Sequence, residues 1–200
     1  MKQRPSGLAD VPRETSERLK QFADLLVRWN AHINLVSRAD TNIIWDRHVV
    51  DSVQLAHLIP YGTDRGVDLG SGAGFPGLIL AIVTGIEFDL IESDQRKAAF
   101  LREAARVTAA PAKVHATRIE SADVAPAMLV TARALAPLPL LLDLAHRFLL
   151  PCAVALFPKG AEADRELTEA GRTWKMRVER FQSQTAKEGT ILKLSEVVRG

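Results

Sequence analysis

Val67-Asp68-Leu69-Gly70-Ser71-Gly72-Ala73-Gly74-Phe75-Pro76-Gly77 is the stretch on which the reading of this chain turns. A short apolar run passes into closely spaced glycines and then into a segment whose first turn accepts Pro76. Glycines in such a turn permit positive φ and let a ligand approach bare backbone. Strand, glycine loop and helix in that order belong to an open α/β sheet, where ligands bind outside the carboxyl ends of the strands.

The texture on either side agrees. Downstream, β-like runs alternate with helical stretches: Gly66–Leu69 with Gly77–Thr84, Phe88–Glu92 with Gln95–Thr108, Lys113–Ala116 with a loop, Met128–Arg133 with Leu138–Leu149, and Cys152–Phe157 with a charged helix near 161–170. Such alternation predicts a mostly parallel sheet with helices on both faces. Trp174–Phe181 and Thr190–Val198 are both strand-like with no helix between them, which predicts an antiparallel ending at one edge. Upstream, Leu19, Phe22, Leu26, Trp29 and Ile33 recur at helical spacing over residues 14–33, and Ile44, Val49, Leu55 and Ile59 repeat the pattern up to Pro60. The expected organisation is a helical lead-in over residues 1–62 and an α/β domain over 63–200, forming one compact unit.

Charge and cysteine content bound the function. Twenty-six basic residues against 24 acidic ones leave a net charge of +2, so any binding of nucleic acid must come from a local basic patch. Cys152 is the only cysteine, which excludes an internal disulfide and a cysteine-rich metal site. It stands in an apolar run and is expected to be a buried small hydrophobe. No apolar segment follows Met1–Pro5, and the run Ala134–Leu150 is broken by Pro137, Pro139, Asp143, His146 and Arg147. The chain is therefore expected to be a cytoplasmic protein without a membrane span.

Gly72, Gly74 and Gly77 satisfy the G-x-G-x-x-G dinucleotide pattern, and Glu92 follows at about the distance that pattern wants. Asp68 argues against a nicotinamide cofactor, because its carboxylate would oppose a pyrophosphate seated on the helix N-terminus. The glycines also come late, with Leu69-Gly70-Ser71 interposed. S-adenosylmethionine carries a sulfonium, an ammonium and one carboxylate, so an acid beside the loop suits its positive end. Glu92 closes the next strand, where a carboxylate can accept hydrogen bonds from two ribose hydroxyls. Asp94 is expected to cap the following helix.

Several segments occur together and in order: Asn34-Leu35-Val36-Ser37, Arg47-His48-Val49-Val50-Asp51-Ser52, the glycine loop, Glu92-Ser93, Arg118-Ile119-Glu120, Thr131-Ala132-Arg133-Ala134 and Lys159-Gly160. That set resembles the small-subunit ribosomal RNA methyltransferase G family, also called glucose-inhibited division protein B, over roughly residues 20–195. The resemblance implies a Rossmann-like class I S-adenosylmethionine-dependent methyltransferase fold. It also implies methylation at N7 of a guanine in 16S ribosomal RNA, on free RNA or on the small ribosomal subunit. Carried over by position, Gly70 and Phe75 would line the methionine side of the cofactor, Gly72 would also contact the cofactor, Glu92 would hold the ribose, Ile119 and Glu120 would flank the adenine, and Arg133 would lie near the cofactor.

Guanine N7 has a free lone pair and no proton, so attack on a methyl sulfonium needs no general base. No acid–base residue is assigned, and no single side chain should titrate the rate between about pH 6 and 8. His48, Asp51 and Ser52 share a helical face that either bridges the lead-in to the pocket or touches RNA, while Arg47 and Asp51 could form a surface ion pair. Arg133 and Lys159 end strands, where each could meet RNA or pair with nearby acids. Arg172, Lys175, Arg177 and Arg180 form a possible phosphate strip, weakened by Glu179. One His and one Asp are too few for a metal site. A monomer is expected. The alternatives are a nicotinamide oxidoreductase and a ribosome-associated RNA-binding protein without turnover.

Overall fold

The computed structural model describes residues 11–37 and 43–200. Seven strands form one sheet: β1 (Arg65–Leu69), β2 (Glu87–Ile91), β3 (Ala112–His115), β4 (Ala127–Ala132), β5 (Leu149–Lys159), β6 (Trp174–Gln182) and β7 (Thr190–Arg199). Their order is β3-β2-β1-β4-β5-β7-β6. β1 through β5 pair in parallel, and β7 enters antiparallel between β5 and β6. The expected parallel sheet with an antiparallel ending is what the chain forms. Chain direction in space reverses between β1 and β4, and the crevice at such a switch point is where ligands bind. The glycine loop leaves β1 there, and Arg133 follows β4.

The central strands are apolar on both faces because both are covered. Val67 and Leu69 are fully buried, as are Phe88, Leu90, Leu129 and Val130. One face packs under α1 (Arg13–Asn30), α3 (Gly77–Thr84) and α4 (Gln95–Val107). The other packs under α5 (Leu138–Ala145) and the end of α6 (Ala163–Ala170). Between β3 and β4 only a short turn, Ile119–Ser121, stands in place of a helix. Asp94 caps α4 as its position predicts, with Oδ1 accepting from the Arg96 N–H at 2.8 Å and the Lys97 N–H at 3.2 Å.

Residues 1–10 and 38–42 of the expected lead-in, the latter including Thr41 and Asn42 at the head of its second helical pattern, lie outside the described residues. The rest joins the core of the α/β domain: Leu19, Phe22 and Leu26 of α1 are fully buried in the cluster that holds Leu78, Ile79 and Phe100. Arg18 fastens α1 to the end of α4, donating from Nε to the Thr108 carbonyl at 2.6 Å and from Nη2 to the Ala109 carbonyl at 2.9 Å. α1 stops at Asn30, before the predicted Ile33, because the Asn30 Oδ1 accepts from the N–H groups of Leu35 and Val36 and folds the chain into a turn. The second pattern is helical but unevenly wound. Trp45–Val49 is a π-helical turn, α2 (Val50–Val53) is α-helical, and Gln54–Leu58 tightens to 3-10.

Candidate active site

The loop after β1 is built on left-handed backbone, with φ of 63° at Gly70, 55° at Gly72 and 93° at Gly74. These are values at which a side chain is strained and glycine is not. A Cβ on Gly72 would meet nothing nearer than the Gly70 carbonyl at 3.8 Å, so this backbone faces open space, as a ligand cradle must. Gly77 is required by proximity instead: a Cβ there would stand 2.4 Å from the Asp68 Cβ. Glu92 fastens the loop from the next strand. Its Oε2 accepts from the Gly72 N–H at 2.8 Å and its Oε1 from the Asp94 N–H at 2.8 Å. Each oxygen retains a second lone pair for a further donor.

Asp68 lies beneath the loop rather than beside it. It is fully buried, and its Oδ1 accepts from the Thr131 hydroxyl at 2.6 Å. Burial pushes its carboxyl up to about 6, against the opposing pull of that hydroxyl. Fully buried, the acid presents no surface to the cavity above the loop. Thr131, its partner from β4, carried no sign of this task in the sequence beyond its place in the Thr-Ala-Arg-Ala segment.

Phe75 is the post on which the lead-in and β4 converge. It is buried, with the Phe22 ring edge-on at 5.5 Å, the His48 ring at 5.1 Å and the Arg133 guanidinium over its face at 4.9 Å. His48 therefore bridges the lead-in to the loop, one of the two readings its position allowed. Arg133 and Ala134 line three cavities in common. The one along the glycine loop, about 170 Å³, also touches His48, Gly70, Gly72 and Phe75. The second, about 790 Å³, runs past Arg47, His48 and Asp51 to Thr185. The third, about 560 Å³, lies between Asp51, Lys159 and Gly189. Ala134 holds φ at 52°, the kind of local strain that clusters at ligand sites.

Arg133 is mostly buried, and burial draws its guanidinium below the usual value while the Asp51 charge acts the other way. Its Nη1 donates to Asp51 Oδ2 at 3.2 Å. Lys159 points into its cavity wall. Its ammonium donates to the Ala136 carbonyl at 2.7 Å and pairs with Glu166 at 2.8 Å, while that Glu166 also accepts from the Leu138 N–H at the start of α5. Its charge is paired within the fold, as the pairing alternative has it, and its side chain borders the third cavity. Ile119 and Glu120 follow β3, the strand beside Glu92; Ile119 is buried and Glu120 exposed, and neither borders the three cavities. In the basic segment Arg180 is ion-paired with Asp164, whereas Arg172, Lys175 and Arg177 are exposed. The loop Ser183–Gly189, which walls the two larger cavities, has no motif and was not anticipated.

A family model for rRNA small subunit methyltransferase G matches residues 15–193. The chain belongs to that family. A ribosomal RNA small subunit methyltransferase G from Rhodospirillum centenum is 58% identical over 187 residues, covering 94% of this chain and 87% of its own. One from Gluconobacter oxydans is 54% identical over 192 residues, covering 96% and 99%. Membership in the methyltransferase G family sets aside the oxidoreductase alternative. Among solved structures, M. jannaschii TYW2 in complex with AdoMet matches with a TM-score of 0.59 at 14% identity, over 85% of this chain and 80% of its own. Cofactor-bound Rv0187 from MTB matches at 0.60 and 13%, over 97% and 99%. These place the fold among class I methyltransferases, as the sheet order and glycine loop anticipate.

Proposed function

We propose that this chain transfers the methyl group of S-adenosylmethionine to N7 of a guanine in the 16S ribosomal RNA of the small subunit. The observation that carries the reading is the Glu92 carboxylate bound across the glycine loop at the sheet's switch point, in a chain of the small-subunit rRNA methyltransferase G family. The bound cofactor supplies an electrophilic methyl on sulfur. The backbone of the glycine loop at Gly70 takes its carboxylate, Gly72 leaves room for it, and Phe75 walls its methionine side. Glu92 keeps its remaining lone pairs for the ribose hydroxyls, with Ile119 and Glu120 beyond it toward the adenine.

The purine nitrogen needs no deprotonation. The protein's task is therefore to hold nucleophile, methyl and sulfur in line in a set electrostatic field. Arg133, which faces both the loop cavity and the larger clefts, orients the base or its phosphate. His48 sets the Phe75 ring against which Arg133 rests. Asp68 supplies negative field under the loop without exchanging a proton with the base. Arg172, Lys175 and Arg177 offer phosphate contacts at the sheet edge. The enzyme works as a cytoplasmic monomer, and among the described residues no helix is long and apolar enough to cross a membrane.

Small subunits from a strain lacking the enzyme, incubated with the chain and a donor labelled in its methyl group, test this reading. It expects label on a single guanine at N7 in the small-subunit RNA. Label on another atom, or RNA binding with no transfer, would refute it.

A further inference from the structure

The proposed reaction gives Asp51 no part, yet three separate pieces of chain meet on its carboxylate. Oδ1 accepts from Gln54 Nε2 at 2.7 Å, from the Thr185 hydroxyl at 2.8 Å and from the Ser183 hydroxyl at 3.3 Å. Oδ2 accepts from Arg133 Nη1 at 3.2 Å. The donors come from the lead-in, from the end of β4 and from the loop between β6 and β7. Gln54 strengthens the junction by accepting from the Gln184 N–H at 2.9 Å. Both members of the ion pair are largely shielded, with side-chain exposures of 18% for Arg133 and 14% for Asp51.

The sheet does not need this junction. β4 pairs through Ala127–Ala132, and the Ser183–Gly189 loop already closes on itself, with the Ser183 N–H donating to the Gly189 carbonyl at 2.9 Å. What the junction determines is placement. On one flank of Asp51 the guanidinium of Arg133 lies over Phe75 and borders the glycine-loop cavity. On the other, Ser183, Thr185 and Ala186 form walls of the two larger cavities. Asp51 itself borders both of those cavities.

We infer that Asp51 is a positioning residue: one carboxylate fixes Arg133 on the reacting side and the Ser183–Gly189 loop as the outer wall of the cleft that takes the target base. This rests on the proposed methyl transfer to RNA and deepens it. Ordering of the loop around a bound nucleotide and the alignment of Arg133 become a single event, because both draw on the same acceptor. A carboxylate serves this purpose where an amide would not, since all four donors need acceptor oxygens.

The test is a double-mutant cycle on Asp51→Asn and Arg133→Ala, read as kcat and KM for small-subunit RNA and as amide hydrogen exchange at 183–189. Asp51→Asn is expected to lower kcat about tenfold or more through a misplaced Arg133. The pair should be strongly non-additive, the double variant being no slower than Arg133→Ala alone. Exchange at 183–189 should quicken in either single variant. Independent, multiplying effects on kcat, or unchanged exchange in Arg133→Ala, would overturn the coupling. Should Asp51→Asn fail to fold, the combined Ser183→Ala and Thr185→Val variant removes two donors and leaves the charge. It is expected to raise KM for RNA about fivefold, worth about 1 kcal/mol, and an unchanged KM would overturn the proposal. Hydrogen exchange needs no turnover. A wild-type chain that transfers no methyl would count against the proposed reaction, while the coupling would stand or fall on exchange.

Discussion

Replacing Glu92 by glutamine changes one atom and ought to be harsh. In the native site both carboxylate oxygens accept from backbone N–H groups, those of Gly72 and Asp94, each at 2.8 Å. Glutamine keeps one acceptor and turns the other into a donor, which then faces a donor in a site only 8% exposed. Rotating the amide moves the conflict from one partner to the other without removing it. A hydrogen bond to a charged group contributes about 1.5–3 kcal/mol, and a buried group left unsatisfied costs about as much. The loss is therefore about 2–3 kcal/mol, divided between folding and the order of the glycine loop. The ribose hydroxyls meet the same altered group, so affinity for S-adenosylhomocysteine should fall by about 10- to 100-fold. Calorimetric titration of that ligand, alongside urea unfolding, measures both parts. A Glu92→Gln chain that binds within about twofold of wild type and unfolds at the same urea concentration would refute the clamp and the ribose assignment together.

Asp68 makes stability depend on pH in a direction opposite to that of a salt-bridged acid. Its carboxyl ordinarily titrates near 3.8 and is pushed up to about 6 by burial. Between those values the unfolded chain has released the proton and the folded chain has not, so this group's contribution falls as pH rises, by about 3 kcal/mol in all. Urea unfolding at several pH values should show that slope in wild type and lose it in Asp68→Asn; equal slopes would be contrary. The single-turnover rate should nevertheless stay flat between about pH 6 and 8, since no general base is used, and a bend traceable to one side chain in that range would be contrary. Gly77→Ala drives a rigid methyl to within 2.4 Å of Asp68 Cβ and should cost about 1–3 kcal/mol by denaturant midpoint, whereas an unaltered midpoint would mean the loop can shift. Cys152 is exposed and should react with a maleimide in the folded protein at the rate of an open thiol, protection being the adverse result.

The fold was legible where side-chain periodicity and backbone chemistry point the same way. Alternating strand and helix patterns, the glycine loop and the Asp94 cap depend on nearest neighbours in the chain, and sequence carries that information. Cys152 misled because the apolar run around it resembles a fully buried strand. β5 in fact begins at Leu149, and β7 pairs with it only from Val154 onward, so Leu150, Pro151 and Cys152 stand in solvent. Lys159 sits at a strand end facing a crevice, as expected, but Glu166 on the next helix takes its charge. A pairing set by how α6 lies on α5 leaves no mark at either position. The Asp51 junction is the extreme case, since three of its four partners lie 82 to 134 residues away. Only the closed sheet brings them together.

A structure of the chain with S-adenosylhomocysteine bound tests the central claim most directly. It should hold the two ribose hydroxyls on the Glu92 carboxylate and the amino-acid carboxylate on the backbone of the glycine loop at Gly70. The sulfur should then lie on the Arg133 side of Phe75, facing the cleft walled by Ser183–Gly189. Ligand seated anywhere else, or Glu92 still bound only to Gly72 and Asp94 with the ribose beyond its reach, would contradict the account.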